Sequence, residues 1–539
     1  MKQHRGADAL CTTLKRAGVT RIFTLSGNHI MPVFDAALDA GIELVHVRYE
    51  GACVHMADAY ARLTGQVGIA LVTGGPGHAN ALGALYTAQM GESPIVLLSG
   101  HAPNDQLGLG AFQEMRQAEM AAPVCKAAWT AASADALGPD IARAMREARS
   151  GRPGPVHLSL PCDALESAAA RDHSMPLTAA TDIALAAADA QTAMAWLRAA
   201  KRPLILTGPT SMTRAGSAAR KALEDTAGIA VIGMESPRGV ADPALGAFAQ
   251  MLALADRVLL LGKRVDFTLK FGKCFAADCE FMQIDADASE QARARAALGA
   301  RLVFITTADT NTALHALAQA ARHSPGTWLA EVQSAIAYRP AAWDTALASQ
   351  PGRLHPVAAC RPLQALLDSH PDSVLVSDGG EFGQWAQACL AAPNRIINGP
   401  AGAIGPALPF ALGARMAKPG VPIVALMGDG TFGFHAMEID TAMRYRLPFV
   451  AVIGNDARWN AEYQIQLKAY GPDRLVGCEL TPARYDLTAA SFGAYGEMVD
   501  DPARLLPAVQ RARAANLPAL LNVMIEGVPA PMVTRPAID

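Results

Sequence analysis

The sequence has few aromatic residues, no clustered cysteines and no surplus of charge. Tryptophan, tyrosine and phenylalanine make up 6% of its 539 residues, whereas 51% are hydrophobic. Small apolar side chains must therefore fill most of the core, as they do in alanine-rich α/β proteins. Forty-six basic residues stand against 49 acidic ones; a nucleic-acid binder would show a basic excess, so that class is set aside. No apolar run reaches the roughly 18–20 residues of a membrane-spanning helix. The opening stretch MKQHRGADALCTTLKRAG has no apolar signal core and reads as an amphipathic helix. Nine cysteines occur without a C-x-x-C pair, and their odd number argues against a disulfide framework. They read as buried thiols of a cytoplasmic protein. Cys274 and Cys279 are spaced to share a metal, but no partner cluster lies beside them in the sequence. No G-x-x-x-x-G-K-[ST] occurs, which removes an ordinary P-loop nucleotide site.

What is present is a rhythm of short β-rich runs alternating with helical stretches, the pattern of parallel sheets with crossover helices. RIFTL, ELVHVR, GIALVTGG, PIVLLSG and PVHLSLP form a first group of strands. RPLILTGP, IAVIGM, RVLLLGK, EFMQIDAD and RLVFITTA form a second. SVLVSDGG, RIING, PIVALMGDG, FVAVIGND and ALLNVMIEG form a third. Polar, proline-bearing stretches from Glu166 to Asp182 and from Ala337 to Pro356 separate the groups as linkers. The predicted fold is α/β, with three doubly wound parallel-sheet domains over residues 1–168, 185–340 and 353–530.

One stretch carries chemistry. GDGTFGFHAMEIDTAMRYRLPFVAVIGND reads as a strand ending in Gly-Asp-Gly, a helix, and a second strand ending in Gly-Asn-Asp. Ligands of open parallel sheets sit beyond the carboxyl ends of the strands. Asp429 and Asn455 fall at two such ends, 26 positions apart (455 − 429), which suits one strand–helix–strand return. A carboxylate plus an amide oxygen is an ordinary arrangement for magnesium, which favours a few protein oxygens together with substrate phosphates. A helix beginning near Thr431 would offer free N–H groups to a phosphate. Gly428 and Gly430 clear the space around Asp429, and Gly379 and Gly380, after another strand in LVSDGGEFGQW, let backbone amides approach the same ligand. The reading is a magnesium-bridged diphosphate. Taken alone, the Gly-Asp-Gly would more simply be a tight turn between strand and helix.

With the motifs in view, nearly the whole chain resembles the thiamine-diphosphate-dependent acetolactate synthase superfamily. HVRYEGACVHMADAYARLTG is similar to the segment bearing that family's catalytic glutamate, VTGGPGHANAL to its Gly-Pro-Gly-x-x-Asn loop, GAFQE to its glutamine loop, and GRPGPVHLSLP to the close of its first domain. The resemblance implies pyrimidine-binding, central and diphosphate-binding domains. It also implies self-association into a dimer or tetramer, with the cofactor spanning two subunits. Thiamine diphosphate and Mg2+ are the implied cofactors; central domains of the family hold FAD, an ADP moiety or nothing. Glu50 would hydrogen-bond the aminopyrimidine and promote the tautomer that removes the C2 proton. Thr73, Pro76 and Asn80 would frame the pyrimidine, and Gly402 and Ile404 in GPAGAIGPALPF the bend of the cofactor, with Ile404 as an apolar wedge. Asp429, Asn455 and the main-chain carbonyl of Ala457 would ligate magnesium, with Gly428, Gly430 and Thr431 around the diphosphate. His29 and Gln113 would handle the proton and the orientation of a small-molecule substrate. His78, in the glycine-rich loop, has no required role.

Within the superfamily the likenesses divide. FGFHAMEIDTAMRYRLP, LGAFQEMRQAE and LGKRVDFTLKFG look most like 2-hydroxyacyl-CoA lyases and oxalyl-CoA decarboxylases. GNDARWNAEYQIQLKAYGPDRLVG looks like benzaldehyde lyase. Relatives acting on acyl-CoA carry a longer segment after the last strand than NVMIEGVPAPMVTRPAID, which points away from acyl-CoA. Asn460 and Gln464 stand where true acetolactate synthases carry methionine and tryptophan. With Trp459, they predict a polar substrate pocket, because buried amides need partners. The expected activity is a C–C bond lyase or carboligase acting on 2-hydroxy ketones, 2-oxo acids or aldehydes through a thiamine-bound enamine. The alternatives are acetolactate synthase proper, a 2-hydroxyacyl-CoA lyase or oxalyl-CoA decarboxylase, and a regulatory protein that keeps the fold without catalysis.

Overall fold

A computed structural model describes residues 4–170, 180, 182–323 and 326–536. Most of the first predicted linker, at 171–179 and 181, lies outside the described residues. Among these, the chain forms three sheets whose strand pairings are all parallel. The first contains β1 (Arg21–Thr24), β2 (Glu43–His46), β3 (Gly68–Val72), β4 (Ile95–His101), β5 (Ala127–Thr130) and β6 (Val156–Pro161), in the order β2-β1-β3-β4-β6-β5. The second contains β7 (Pro203–Thr207), β8 (Val231–Gly233), β9 (Arg257–Leu261), β10 (Glu280–Ile284) and β11 (Leu302–Thr306), in the order β11-β10-β9-β7-β8. The third contains β12 (Val374–Ser377), β13 (Asn394–Ile397), β14 (Ile423–Gly428), β15 (Phe449–Asn455), β16 (Tyr495–Val499) and β17 (Pro518–Met524), in the order β13-β12-β14-β15-β17-β16.

Counted within each sheet, the first and third share the order 2-1-3-4-6-5, and the second runs 2-1-3-4-5. In each, the strand order reverses between the first and third strands, and the chain leaves these two neighbours in opposite directions. That reversal opens a crevice at their carboxyl ends. The central strands β3, β4, β6, β7 and β12 are buried along their whole length. They read as near-continuous Val, Ile and Leu runs because helices cover both faces of the sheet.

Two strands escaped the sequence reading. β5 (AAWT) is half-buried throughout, and β16 (YGEMV) is half-buried except at Val499. Both occupy the same outer position in their sheets. An edge strand has one paired flank and less burial, so its composition carries less of the apolar signal.

The chain divides into two compact units. One comprises residues 1–181 with 408–419 and 435–447; the other comprises 182–407, 420–434 and 448–539. In the first unit, Tyr445 fixes β2: its hydroxyl accepts from His46 N at 2.7 Å and donates to Leu44 O at 2.9 Å. In the second unit, Arg395 on β13 donates to Glu235 at 2.9 Å and lies 3.6 Å from Asp242. Both acids are almost fully buried. Removing one partner of a buried ion pair strands the other charge at a cost of about 3–5 kcal/mol. Arg395→Leu should therefore lower the free energy of chemical unfolding by about that amount; a loss below about 1 kcal/mol would mean that the acids are satisfied elsewhere.

Candidate active site

In the first sheet the crevice lies between the ends of β1 and β3. The loop after β1 comes so close to the end of β3 that a Cβ at Gly27 would lie 2.4 Å from Thr73 Cβ. His29 follows, nearly buried, its Nδ1 3.3 Å from Thr73 Oγ1 and its ring 6.0 Å from that of Phe112. Burial first, and then neighbouring His101, holds its pKa below the ordinary histidine value. After β3 the chain turns through Gly75, at φ +60°, into the helix Pro76–Met90. Pro76 suits the first helical position, where no intrahelical N–H bond is needed. Gly75 leaves room for Gln113, whose Cβ would lie 2.8 Å from a Cβ there. Gln113 is itself at φ +57°, and its Oε1 is buried without a hydrogen-bond partner. Thus the structure brings His29, Thr73, Pro76 and Gln113 together, with an unsatisfied acceptor among them.

Glu50 begins the helix Glu50–Thr64, where a negative charge meets the positive end of the helix dipole. Its Oε2 accepts from Asn80 Nδ2 at 3.1 Å. A Cβ at Gly77 would stand 3.4 Å from Glu50 Oε1, so the glycine keeps that flank of the carboxylate open. The strand leading to Glu50 is held from outside: Glu438, in the helix Glu438–Arg444, accepts from Arg48 N at 3.1 Å. His78 points the other way. Fully buried, it contacts Ser99 Oγ at 2.9 Å and lies with its ring tilted 4.5 Å from that of His157, and burial pushes its pKa down to about 4. It is a neutral core residue.

The third sheet repeats the crevice between β12 and β14. Gly379, Gly380, Ile404, Gly428, Asp429, Gly430, Thr431, Trp459 and Asn460 line one cavity there. Close contacts or backbone conformation require three of these glycines. A Cβ at Gly379 would meet Ile404 Cγ2 at 2.9 Å, one at Gly430 would enter the Trp459 ring at 2.7 Å, and Gly380 sits at φ +75°. Gly402, at φ +66°, shapes the turn ahead of Ile404 but lies outside the cavity wall. Asp429 is buried, its Oδ2 without a partner, and burial raises its pKa to about 6 against the pull of backbone N–H groups from Gly430 and Ala457. Asp456 is raised further, to about 7, first by burial and then by the charge of Asp429. Asn455 is fully buried behind this wall. Its Oδ1 accepts from Ala457 N at 3.2 Å, and its Nδ2 donates to Ala483 O and Asn522 Oδ1. Ala457 occupies the left-handed region at φ +59°, and its carbonyl accepts from Leu480 N at 2.7 Å. A dry carboxylate oxygen lacking any donor, just past Gly428 and next to the strand end where Asn455 follows Gly454, is the kind of ligand that a hard divalent cation such as magnesium takes. Among the described residues no group of three His, Cys, Asp or Glu side chains is placed to hold a metal, Cys274 and Cys279 included, and all nine cysteines are free.

Two expectations need correction or completion. The single helix expected from Thr431 is one turn, Asp429–Phe432, followed by irregular chain up to Glu438; Gly433, inside the expected helix, disfavours its continuation. The amides of Asn460 and Gln464, expected to face an open polar pocket, find their partners in the chain itself. Asn460 Nδ2 donates to Val528 O at 2.9 Å, and Gln464 Nε2 donates to Gly527 O and Asn460 Oδ1. In the second sheet, just past the end of β9, buried Lys263 donates to Thr268 Oγ1 at 2.6 Å, and a Cβ at Gly262 would lie 2.2 Å from Thr310 Oγ1.

The chain also matches known proteins over these parts. Residues 4–120 match the family described as "Thiamine pyrophosphate enzyme, N-terminal TPP binding domain" and residues 378–523 the family described as "Thiamine pyrophosphate enzyme, C-terminal TPP binding domain". It is 34% identical over 525 residues to "Probable acetolactate synthase" of Mycobacterium bovis, covering 95% of this chain and 94% of that protein. It is 31% identical to "2-hydroxyacyl-CoA lyase 2" of Bos taurus, covering 96% of this chain and 90% of that protein, and 30% identical to the Caenorhabditis elegans protein of the same name. The chain belongs to the thiamine pyrophosphate enzyme family. It is therefore a thiamine-diphosphate-dependent enzyme of the lyase and carboligase kind, acting on a small-molecule substrate. No helix among the described residues is long and apolar enough to cross a membrane.

Sequence reading overlooked two supports of this thiamine-enzyme framework. Gln117 is buried and joins three elements: Oε1 accepts from Gly75 N at 2.9 Å, while Nε2 donates to Gly100 O and Ser159 Oγ. Asp378 is fully buried and accepts from the backbone of Gly379, Gly405 and Ala407, which joins the Gly-Gly turn to the Ile404 loop. Its place before Gly-Gly in LVSDGG was the available signal.

The two raised carboxyls give a prediction with a definite sign. A buried acid whose folded pKa lies near 7 contributes stability below its unfolded pKa of about 4 and loses it as pH rises through the folded value. In cofactor-free protein, Asp456→Asn should raise the thermal midpoint relative to the parent more at pH 8 than at pH 5. An equal difference at both pH values would show that Asp456 does not titrate in that window.

Proposed function

We propose that the enzyme breaks or forms a C–C bond beside a carbonyl in small 2-hydroxy ketones, 2-oxo acids or aldehydes, with Mg2+ holding the cofactor's diphosphate. The observation that carries the magnesium reading is the unpartnered Asp429 Oδ2 in a glycine-cleared crevice at the strand reversal of the third sheet. In this reading residues 353–530 hold the diphosphate end and residues 1–168 the pyrimidine end of the cofactor. When bound, thiamine diphosphate supplies the electron sink that C–C cleavage next to a carbonyl needs.

The chain's own residues would do the rest. Asp429, Asn455 and the Ala457 carbonyl would ligate the cation, and Gly379, Gly380, Gly428, Gly430 and Thr431 would present backbone and hydroxyl groups to phosphate oxygens. Ile404, resting on Gly379, would press on the cofactor from below. Glu50 would hold a proton at the pyrimidine ring nitrogen, with Asn80 fixing which of its oxygens faces the ring. His29, kept neutral by burial, can accept a proton from a substrate hydroxyl, and the free Oε1 of Gln113 can accept a hydrogen bond from it. Self-association into a dimer or tetramer belongs to the same reading and rests on the family resemblance.

The test is the rate of hydrogen–deuterium exchange at C2 of bound thiamine diphosphate. Glu50→Gln should slow it by about 10²–10⁴-fold, the usual contribution of a positioned proton-transfer group, while leaving cofactor affinity within a few-fold. An unchanged rate would remove Glu50 from the mechanism. No acceleration of exchange by the parent chain would favour a non-catalytic role.

A further inference from the structure

The loop between β4 and the helix Gln117–Ala121 carries Gln113 and borders a second cavity, which His101, Asn104, Leu107, Glu114, Met115 and Arg116 help to line. On that flank no packed core supports the loop, so hydrogen bonds must hold it. Its tip folds on itself: Glu114 accepts from the backbone N–H groups of Gly108, Gly110 and Ala111. Its beginning is tied by Asn104, whose backbone N and Nδ2 both donate to Asp163. Its end is tied by His101, the last residue of β4. The ring Nε2 lies 2.9 Å from Met115 O, and Nδ1 lies 3.1 Å from Ala102 O.

A carbonyl only accepts, so the bond to Met115 needs a hydrogen on Nε2 of His101. The side chain is nearly buried, and Met115 O also accepts from Gln117 N at 2.8 Å, which fixes the turn out of the loop. Gln113 stands two residues before Met115. Its φ of +57° is disfavoured for a residue with a Cβ and persists only where neighbours impose it. One such neighbour is the turn after β3, since a Cβ at Gly75 would lie 2.9 Å from Gln113 O. The backbone of Phe112, one residue earlier, bonds the His29 ring. His29 in turn packs on the residue before His101: a Cβ at Gly100 would stand 2.6 Å from His29 Cβ. The stretch Gly100–His101 therefore supports His29 directly and the Gln113 loop through one imidazole.

We propose that His101 is a positioning residue for the pair His29 and Gln113, acting through the bond from its Nε2 to the Met115 carbonyl. It touches no reacting atom. It holds the end of the loop so that Gln113 keeps its left-handed backbone and aims its free Oε1 at the space beside His29. The effect on substrate rests on the function proposed above; the tie from His101 to Met115 does not.

Two variants and one measurement on the parent test it. His101→Gln keeps an N–H donor at the place of Nε2, whereas His101→Asn keeps one only at the place of Nδ1. Amide hydrogen exchange at Glu114 and Gln117 should rise about tenfold or more in His101→Asn and stay within about threefold of the parent in His101→Gln. Exchange in β3 and β6 should match the parent in both, showing that the fold is kept. In the parent, the 15N shift of His101 Nε2 should be that of a nitrogen bearing hydrogen. With holoenzyme, kcat/KM for acetoin should fall about tenfold or more in His101→Asn and be largely rescued in His101→Gln. Exchange at C2 of the bound cofactor should stay within about twofold of the parent in both variants. A bare Nε2 in the parent, or equal loop exchange in the two variants, overturns the tie. Differing loop exchange with equal turnover, or C2 exchange that falls in step with turnover, overturns the positioning of the substrate-side pair. Amide exchange and the nitrogen shift are read without turnover, so the tie stands or falls separately from the activity.

Discussion

The constraint on which the rest depends is the reversal of strand order between the first and third strands of each parallel sheet. Parallel neighbours whose crossover connections depart to opposite sides leave their carboxyl ends uncovered. In the third sheet that opening receives Gly379–Gly380 from β12 and Gly428–Asp429–Gly430 from β14. In the first sheet it receives His29 from the loop after β1 and Thr73–Pro76 from the loop after β3. The shared order of the two sheets gives the chain two equivalent crevices. In the reading proposed above, side chains alone make one suited to a cation and phosphates and the other to proton transfer.

Electrostatics sharpen the difference. Asp429 and Asp456 share a dry wall, where burial raises both and Asp429 also raises the cost of ionising Asp456, and Asp429 Oδ2 has no donor to offset it. Such an arrangement is unfavourable in an empty fold and becomes favourable when a divalent cation is bound, since the cation supplies the charge that the protein withholds. The Glu50 side is milder: a half-buried carboxylate at a helix start, oriented by one amide. Gln117 fixes the Gly75 turn, and Glu438 fixes the stretch that leads into Glu50.

Much of this was legible in the sequence because its physics is local. Fifteen strands announced themselves as β-branched runs, since helices cover both sheet faces, and Gly-Asp-Gly with Gly-Asn-Asp marked two strand ends directly. What stayed hidden depended on distant partners. β5 and β16 lie at edges, where half-burial permits AAWT and YGEMV. Gln117 and Asp378 look like ordinary polar residues until their three-way backbone contacts are seen. Asn460 and Gln464 were read correctly as buried amides in need of partners, but those partners lie more than 60 residues later, beyond any local pattern.

The central claim is that Asp429 anchors the cofactor through a cation. The most direct measurement is the equilibrium binding of thiamine diphosphate by the purified chain with Mg2+ and with the ion chelated, for the parent and for Asp429→Ala. The account predicts tight binding only for the parent with the ion present, and weak binding in the other three cases. Equal affinity with and without the ion, or an Asp429→Ala protein that binds as the parent does, would contradict it.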